Sequence, residues 1–207
     1  MPSIYHFTHR SNLESILRAG GLHCDSTMAA QGQHANVGNL DIKARRARRA
    51  VPVAVQGVVA DYVPFYYATR SPMLYSIYRG GVPSCTYPQS EIVYLVCDSD
   101  AVSQSGPFCI TDRNAVLAHA QFSARLADIA TLIDWPLMRE RIWRNTPDDT
   151  ERVERRMAEF LLHSFVAWPQ VQQVGVYDAA NIQYVQNLLT GQQHIPPLVI
   201  QSGWYFP

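Results

Sequence analysis

The sequence predicts a single α+β domain spanning residues 1–207. Three observations carry this. Helix-like and strand-like segments alternate irregularly along the chain rather than falling into separate blocks. A length of 207 residues with 47% hydrophobic content is enough for one buried core. No repeat, long linker or low-complexity tract divides the chain. Charged residues make up only 16%, and that balance excludes global disorder.

The elements follow from local pattern. Ile4–Thr8 reads as an opening strand. Ser11 and Glu14 have capping-box spacing ahead of a helix with Leu13, Ile16 and Leu17 on its apolar face, and Gly20-Gly21 ends it. Residues 25–50 carry little apolar periodicity: Gln31–Leu40 is rich in Gly, Asn and Gln, and a basic run follows. So long an irregular stretch inside a compact domain is usually functional or mobile. Val53–Ala60 and Val63–Ala68 read as strands. Ser71-Pro72 starts a helix with Met73, Ile77 and Tyr78 on one side, stopped by Gly80-Gly81. Glu91–Cys97 reads as a central strand and Phe108–Thr111 as another.

Asn114–Ile133 has the strongest helical spacing, through Val116, Ala120, Leu126, Ile129 and Ile133, with Thr111 or Asp112 as cap. Residues 134–156 form a second irregular segment. Phe160–Val166, Val174–Tyr177 and Leu198–Gln201 read as late strands. Met157, Phe160, Leu161 and Ser164 also fit the helical period, so Phe160–Val166 stays open between the two.

Composition narrows the function. Seventeen basic and seventeen acidic residues cancel, which at first argues against a nucleic-acid partner. Lys43, Arg45, Arg46, Arg48 and Arg49 nevertheless put five cations into seven residues, either a solvated face or a contact for phosphates. Cys24, Cys85, Cys97 and Cys109 have no zinc-knuckle spacing and read as ordinary thiols, and no other metal set is visible. Apolar runs such as Ile92–Cys97 are too short to span a bilayer, and Met1–Ser11 lacks the regions of a signal peptide. The expectation is a cytoplasmic protein. No Gly-rich dinucleotide or P-loop fingerprint, no HExxH and no zinc-deaminase pattern is present.

Several residues stand out chemically. His6 and His9 lie three apart on a strand and so face opposite sides, unsuited to a shared metal. Tyr66 and Tyr67 must likewise face opposite ways, one to the core and one free to stack on a ring, with Met73 and Leu74 in the same wall. Glu159 sits at the edge of the apolar run Phe160-Leu161-Leu162, as either a surface carboxylate or a placed catalytic group.

Together these segments resemble the DarT-type DNA ADP-ribosyltransferases. Tyr5-His6-Phe7-Thr8-His9 leading into Asn12-Leu13 is similar to the family's first strand and helix. Asp61–Tyr67 with Arg70-Ser71-Pro72-Met73-Leu74-Tyr75 is the most distinctive match. Ile42–Arg49 resembles its basic stretch, Thr111-Asp112-Arg113 with His119-Ala120 its central part, and Ala158-Glu159-Phe160-Leu161 the segment with its catalytic glutamate. The resemblance runs from about residue 4 to 178 in order.

The resemblance implies an ADP-ribosyltransferase fold, a split mixed or antiparallel sheet with surrounding helices, related to diphtheria-toxin and PARP enzymes. It implies a toxin that transfers ADP-ribose from NAD, used as a substrate without metal, to thymine N3 in single-stranded DNA; guanine is the target of the other branch. It also implies a macrodomain antitoxin of the DarG kind as partner. The catalytic positions map onto Glu159 and Arg46, with Arg45 the near alternative. NAD contacts map onto His6, Thr8, Asn12, Tyr66 (or Tyr67), Met73 and Leu74. DNA contacts map onto Arg45, Arg48, Arg49, His119 and Trp143, with residues 134–156 as the substrate-recognition loop. A same-fold RNA 2′-phosphotransferase or protein ADP-ribosyltransferase is the alternative enzyme, and a non-catalytic nucleic-acid-binding protein the alternative class.

Overall fold

The computed structural model describes residues 2–31 and 35–207. Met1 and residues 32–34 lie outside them, so the readings of the N-terminus and of Gln31–Leu40 are each described only in part. The strands are β1 (Ser3–His9), β2 (Gly21–His23), β3 (Tyr62–Tyr66), β4 (Ile92–Asp98), β5 (Phe108–Thr111), β6 (Phe122–Ser123), β7 (Glu159–His163), β8 (Phe165–Ala167), β9 (Gln173–Val176) and β10 (Leu198–Ile200). The helices of the first half are α1 (Asn12–Arg18), α2 (Asp25–Gln31), α3 (Leu40–Arg46) and α4 (Pro72–Tyr78). Those of the second half are α5 (Ser99–Ser103), α6 (Ile129–Leu132), α7 (Trp135–Arg139), α8 (Arg152–Arg155) and α9 (Ala179–Leu189).

One large sheet runs β10-β9-β4-β1-β3-β7-β5-β6, antiparallel except for the β9–β10 pair, and β2 pairs with β8 separately. This α+β arrangement is a split sheet of the kind the resemblance implies. The split lies between β1 and β3. All of β1 is paired with β4 and all of β3 with β7, yet β1 and β3 meet only at Tyr5↔Tyr66. Pro64 supplies a physical reason. It has no N–H to offer at mid-strand, and its carbonyl accepts a hydrogen bond from His6 Nδ1 (2.8 Å) instead of from the β1 backbone.

Strand alternation then sorts the side chains. Val63 and Phe65 of β3 and Phe160 and Leu162 of β7 enter the main core with Ile4, Leu13 and Leu95. The other face packs Phe7, Leu74, Ile92, Tyr94 and Tyr205 into a second cluster. The register pairs Tyr66 with Glu159 and settles Phe160–Val166 as strand, broken at Ser164 (φ +67°).

Several elements differ from expectation. Ser11 is already helical in φ and ψ and makes no cap bond; its hydroxyl lies 2.7 Å from His9 Nδ1. The 25–50 stretch contains α2 and α3, and α3 starts where the Asn39 side chain accepts the N–H groups of Asp41 and Ile42. Val53–Ala60 is not a strand: Val53–Gly57 turns, because Ala54, Gln56 and Gly57 all take positive φ, and Val59–Asp61 is a 3-10 helix. Asn114–Ile133 is not one helix but turns, β6 and α6. Side chains take the backbone groups that a helix there would use. Glu159 accepts the N–H of Ala115, Arg49 donates to the carbonyls of Ala115 and Ala118, and Asp112 accepts the N–H of Gln121.

Gly21 opens β2 where two elements approach closely. A Cβ there would collide with the Val166 carbonyl and the Phe165 ring. Gly21→Ala is therefore expected to cost about 1–3 kcal/mol of stability by overpacking, read as a lowered urea midpoint. A neutral result would mean that β2 and β8 separate freely.

Candidate active site

The split between β1 and β3 opens into a cavity of about 220 Å³. β1 contributes His6 and Thr8, α1 contributes Asn12, β3 contributes Tyr66, and α4 contributes Met73. α3 lays Lys43 and Arg46 across one side, and β7 places Glu159 at the base.

At the centre stands a buried ion pair. Arg46 Nη1 donates to Glu159 Oε1 at 2.7 Å, with the residues 7% and 2% exposed. The Ala115 N–H donates to the other carboxylate oxygen (2.9 Å), and the Thr111 hydroxyl accepts the Glu159 N–H (3.1 Å). Both oxygens and the backbone are thus held, which fixes the carboxylate in place. On its other side Arg46 Nε lies 3.9 Å from Asp25 Oδ2, and Asp25 also pairs with Lys43 (3.3 Å). Arg46 Nε and Nη2 are buried without a hydrogen-bond partner among the described residues. Burial alone would lower the pKa of Arg46, but the charges of Glu159 and Asp25 more than offset it, and the guanidinium stays charged.

The neighbouring groups are neutral. Burial, reinforced by the Glu159 charge, raises the Tyr66 hydroxyl well above its ordinary value. Burial lowers the pKa of His6, only partly countered by its bond to Pro64. Because a carbonyl can only accept, His6 Nδ1 carries the proton and Nε2 keeps a lone pair. The sign of the linkage follows. The unfolded chain takes up the proton first as pH falls through 6.5, so the His6 contribution to stability is complete above that pH and lost below it. An NMR titration should find the ring taking up its proton below pH 6.5, with stability falling over the same range. Titration at or above 6.5 would contradict its burial.

The residues singled out from sequence separate into groups. Arg46, Glu159, His6, Thr8, Asn12, Tyr66 and Met73 all line the cavity. Asn12 is anchored by Thr8 (3.0 Å) and by both backbone groups of Ala35 (2.8 Å each). Tyr67 faces the opposite side, packed on Trp135, and Arg45 is exposed. Leu74 does not line the cavity: it is fully buried in the Phe7–Tyr94 cluster, since its helix turns it inward from Met73. Arg48 is exposed, and Arg49 is spent on the 115–118 carbonyls. His119 is exposed and bonded to Glu154 (2.9 Å).

Trp143 is not an open stacking surface. It is buried between Tyr75 and Phe206, with its N–H donated to the Arg70 carbonyl (2.8 Å). Sequence reasoning missed Asp25 and the Ala115 N–H, and read Lys43 only as one cation of the basic run. Asp25 carries no local motif, and the N–H is a backbone group. Among the described residues no group of three or more His, Cys, Asp or Glu is placed to hold a metal. No helix among them is long and apolar enough to cross a membrane.

Comparison with known proteins agrees with this geometry. The family model described as "ssDNA thymidine ADP-ribosyltransferase, DarT" matches residues 5–206. A DNA ADP-ribosyl transferase of Thermus sp. strain 2.9 is 36% identical over 206 residues, covering 98% of this chain and 95% of that protein. One from Escherichia coli O127:H6 is 32% identical, covering 98% and 93%. Among solved structures, Thermus sp. 2.9 DarT in complex with ADP-ribosylated ssDNA superposes with a TM-score of 0.90 at 35% identity, covering 99% of this chain and 96% of that one. The same DarT in complex with NAD+ gives 0.87 at 34%, covering 99% and 97%. The chain belongs to the DarT family of single-stranded-DNA thymidine ADP-ribosyltransferases.

Proposed function

We propose that the cavity binds NAD+ as a substrate and that the chain transfers its ADP-ribose to N3 of thymine in single-stranded DNA. The observation that carries this reading is the buried Arg46–Glu159 pair at the base of a cleft walled by His6 and Tyr66. The donor set fits such a substrate: Nε and Nη2 of Arg46 make no hydrogen bond among the described residues, and a dinucleotide offers hydroxyl and phosphate acceptors.

NAD+ supplies an ADP-ribosyl group on a glycosidic bond whose cleavage releases nicotinamide. Glu159 holds a ribose hydroxyl and stabilises the positive charge that develops on the sugar. His6, Thr8 and Asn12 orient the nucleotide, and Tyr66 and Met73 face the flat nicotinamide ring. Thymine N3 must lose its proton to attack. Arg46 stabilises the charge that builds on the base, and Glu159 accepts the proton, because a guanidinium with a raised pKa cannot. Arg45 and Arg48 face solvent, where phosphates would meet them. The reaction takes place in the cytoplasm, opposed by a macrodomain antitoxin of the DarG kind.

Labelled NAD+ incubated with oligonucleotides of each base tests this. Thymine in single strands should be labelled and duplex left alone, since N3 is hydrogen-bonded inside a duplex and extrusion costs a few kcal/mol, roughly. Exhaustive chelation should leave activity intact. Equal labelling of duplex, or labelling of guanine alone, would refute the assignment.

A further inference from the structure

We propose that the outward side of α4, with the chain end packed on it, is the track for the DNA strand flanking the target thymine. Tyr75, Tyr78 and Phe206 stack bases there, and Arg70 and Arg141 hold phosphates. The inference rests on the DNA-modifying reading above and adds where the rest of the strand lies.

The surface has the two components that single-strand binding requires, stackable rings and unneutralised cations. Tyr75 and Tyr78 are 41% and 40% exposed, unusual for tyrosines on a helix whose other side is core. Phe206 stacks on Tyr78 (5.7 Å, 23°) and meets Tyr75 edge-on at 5.0 Å. Trp143 lies beneath as a buttress, its ring perpendicular to Tyr75. The rings are therefore held in place before any ligand arrives, and little ordering remains to be done on binding.

Among the described residues, neither Arg70 nor Arg141 has a carboxylate within ion-pair distance, whereas Arg113, Arg152 and Arg155 of the same region are each paired. Arg70 stands over the Phe206 ring (5.8 Å), and its Nε is buried without a partner. Burial and the nearby charge of Arg141 both lower its pKa, a repulsion that an anion between them would relieve. Arg70 also has φ +51°, a left-handed conformation costly for a side chain of this size, and its carbonyl is locked by the Trp143 N–H. A strained backbone that aims an unpaired guanidinium is the signature of a placed contact.

The platform is joined to the cleft wall through shared packing. Tyr66 and Met73 of the cavity wall and Phe206 of the platform pack against one apolar cluster around Phe7 and Tyr94. Unpaired cations among the rings favour a polyanion over a protein surface.

The test compares oligothymidylates of three and nine nucleotides by fluorescence anisotropy across a salt series, alongside NAD-dependent labelling. Replacing both Tyr75 and Tyr78 by Ala should weaken the nonamer about tenfold or more and leave the trimer unchanged, whereas replacing both by Phe should retain binding. Arg141→Ala, at an exposed position that no contact requires for folding, should lower the nonamer salt slope by about 0.7. Unchanged nonamer affinity in both variants, with DNA still labelled by the wild type, would overturn the track alone. Intact DNA affinity with lost binding of a macrodomain protein would overturn it in favour of a protein interface. No labelling of DNA by the wild type would remove the underlying reading as well.

Discussion

Glu159→Gln is expected to lose about a hundred- to thousandfold in transfer rate while NAD+ still binds. The amide matches the carboxylate in shape and can still accept the Ala115 N–H or one bond from Arg46. It lacks the negative charge that favours positive charge on the ribose, an electrostatic contribution of roughly 3–4 kcal/mol. It also cannot accept the thymine proton. The geometry adds a stability cost that a surface carboxylate would not have. Arg46 is left in a buried site with Asp25 as its remaining carboxylate, at 3.9 Å. Breaking a buried pair costs up to about 3–5 kcal/mol, and Asp25 with the amide oxygen should hold the loss below that. Calorimetry with NAD+, a melting curve and a transfer assay separate the three effects. Activity within tenfold of wild type would remove Glu159 from the chemistry.

Arg46→Ala is expected to be comparably severe and to differ from its neighbours in kind. The substitution strips the buried Glu159 carboxylate of its countercharge, so the fold suffers, with stability falling by about 3–5 kcal/mol. The chemical step should slow by two orders of magnitude or more, roughly, as for the loss of a preorganised electrostatic group. Arg48→Ala, at an exposed position, should only reduce DNA affinity and its salt slope. Arg49→Ala should fall between, because its bonds to the carbonyls of Ala115 and Ala118 hold the loop whose N–H meets Glu159. Arg45→Ala should resemble Arg48→Ala. Equal losses across the run would reduce it to an electrostatic patch.

Much of this was legible in the sequence, for identifiable reasons. Elements set by adjacent residues were readable. The Ser71 hydroxyl accepts the Leu74 N–H with Pro72 at the first helical position, and the apolar run at Ile92 is a central strand. The helix over Ala179–Leu189 was overlooked although its signal was present, in an Asp178 cap followed by Ile182, Val185 and Leu189. What failed was set from a distance. Val116, Ala120 and Ile129 have helical spacing, but Glu159 and Arg49, remote in sequence, claim the backbone between them. Trp143 looked available because pattern shows residue type and not which rings lie above it. The site was recognisable as a set of residues from family resemblance. The pairing of Arg46 with Glu159, 113 positions apart, required the fold.

The gap between β1 and β3 has one more implication. Its floor is the main core, and Phe65, fully buried there, sits 5.8 Å from the His6 ring. Phe65 therefore serves two structures at once, packing the core while bracing the ring of His6. A substitution that repacked the core at Phe65 would also move His6, so changes to the core that spare the site have to fall at residues remote from the seam.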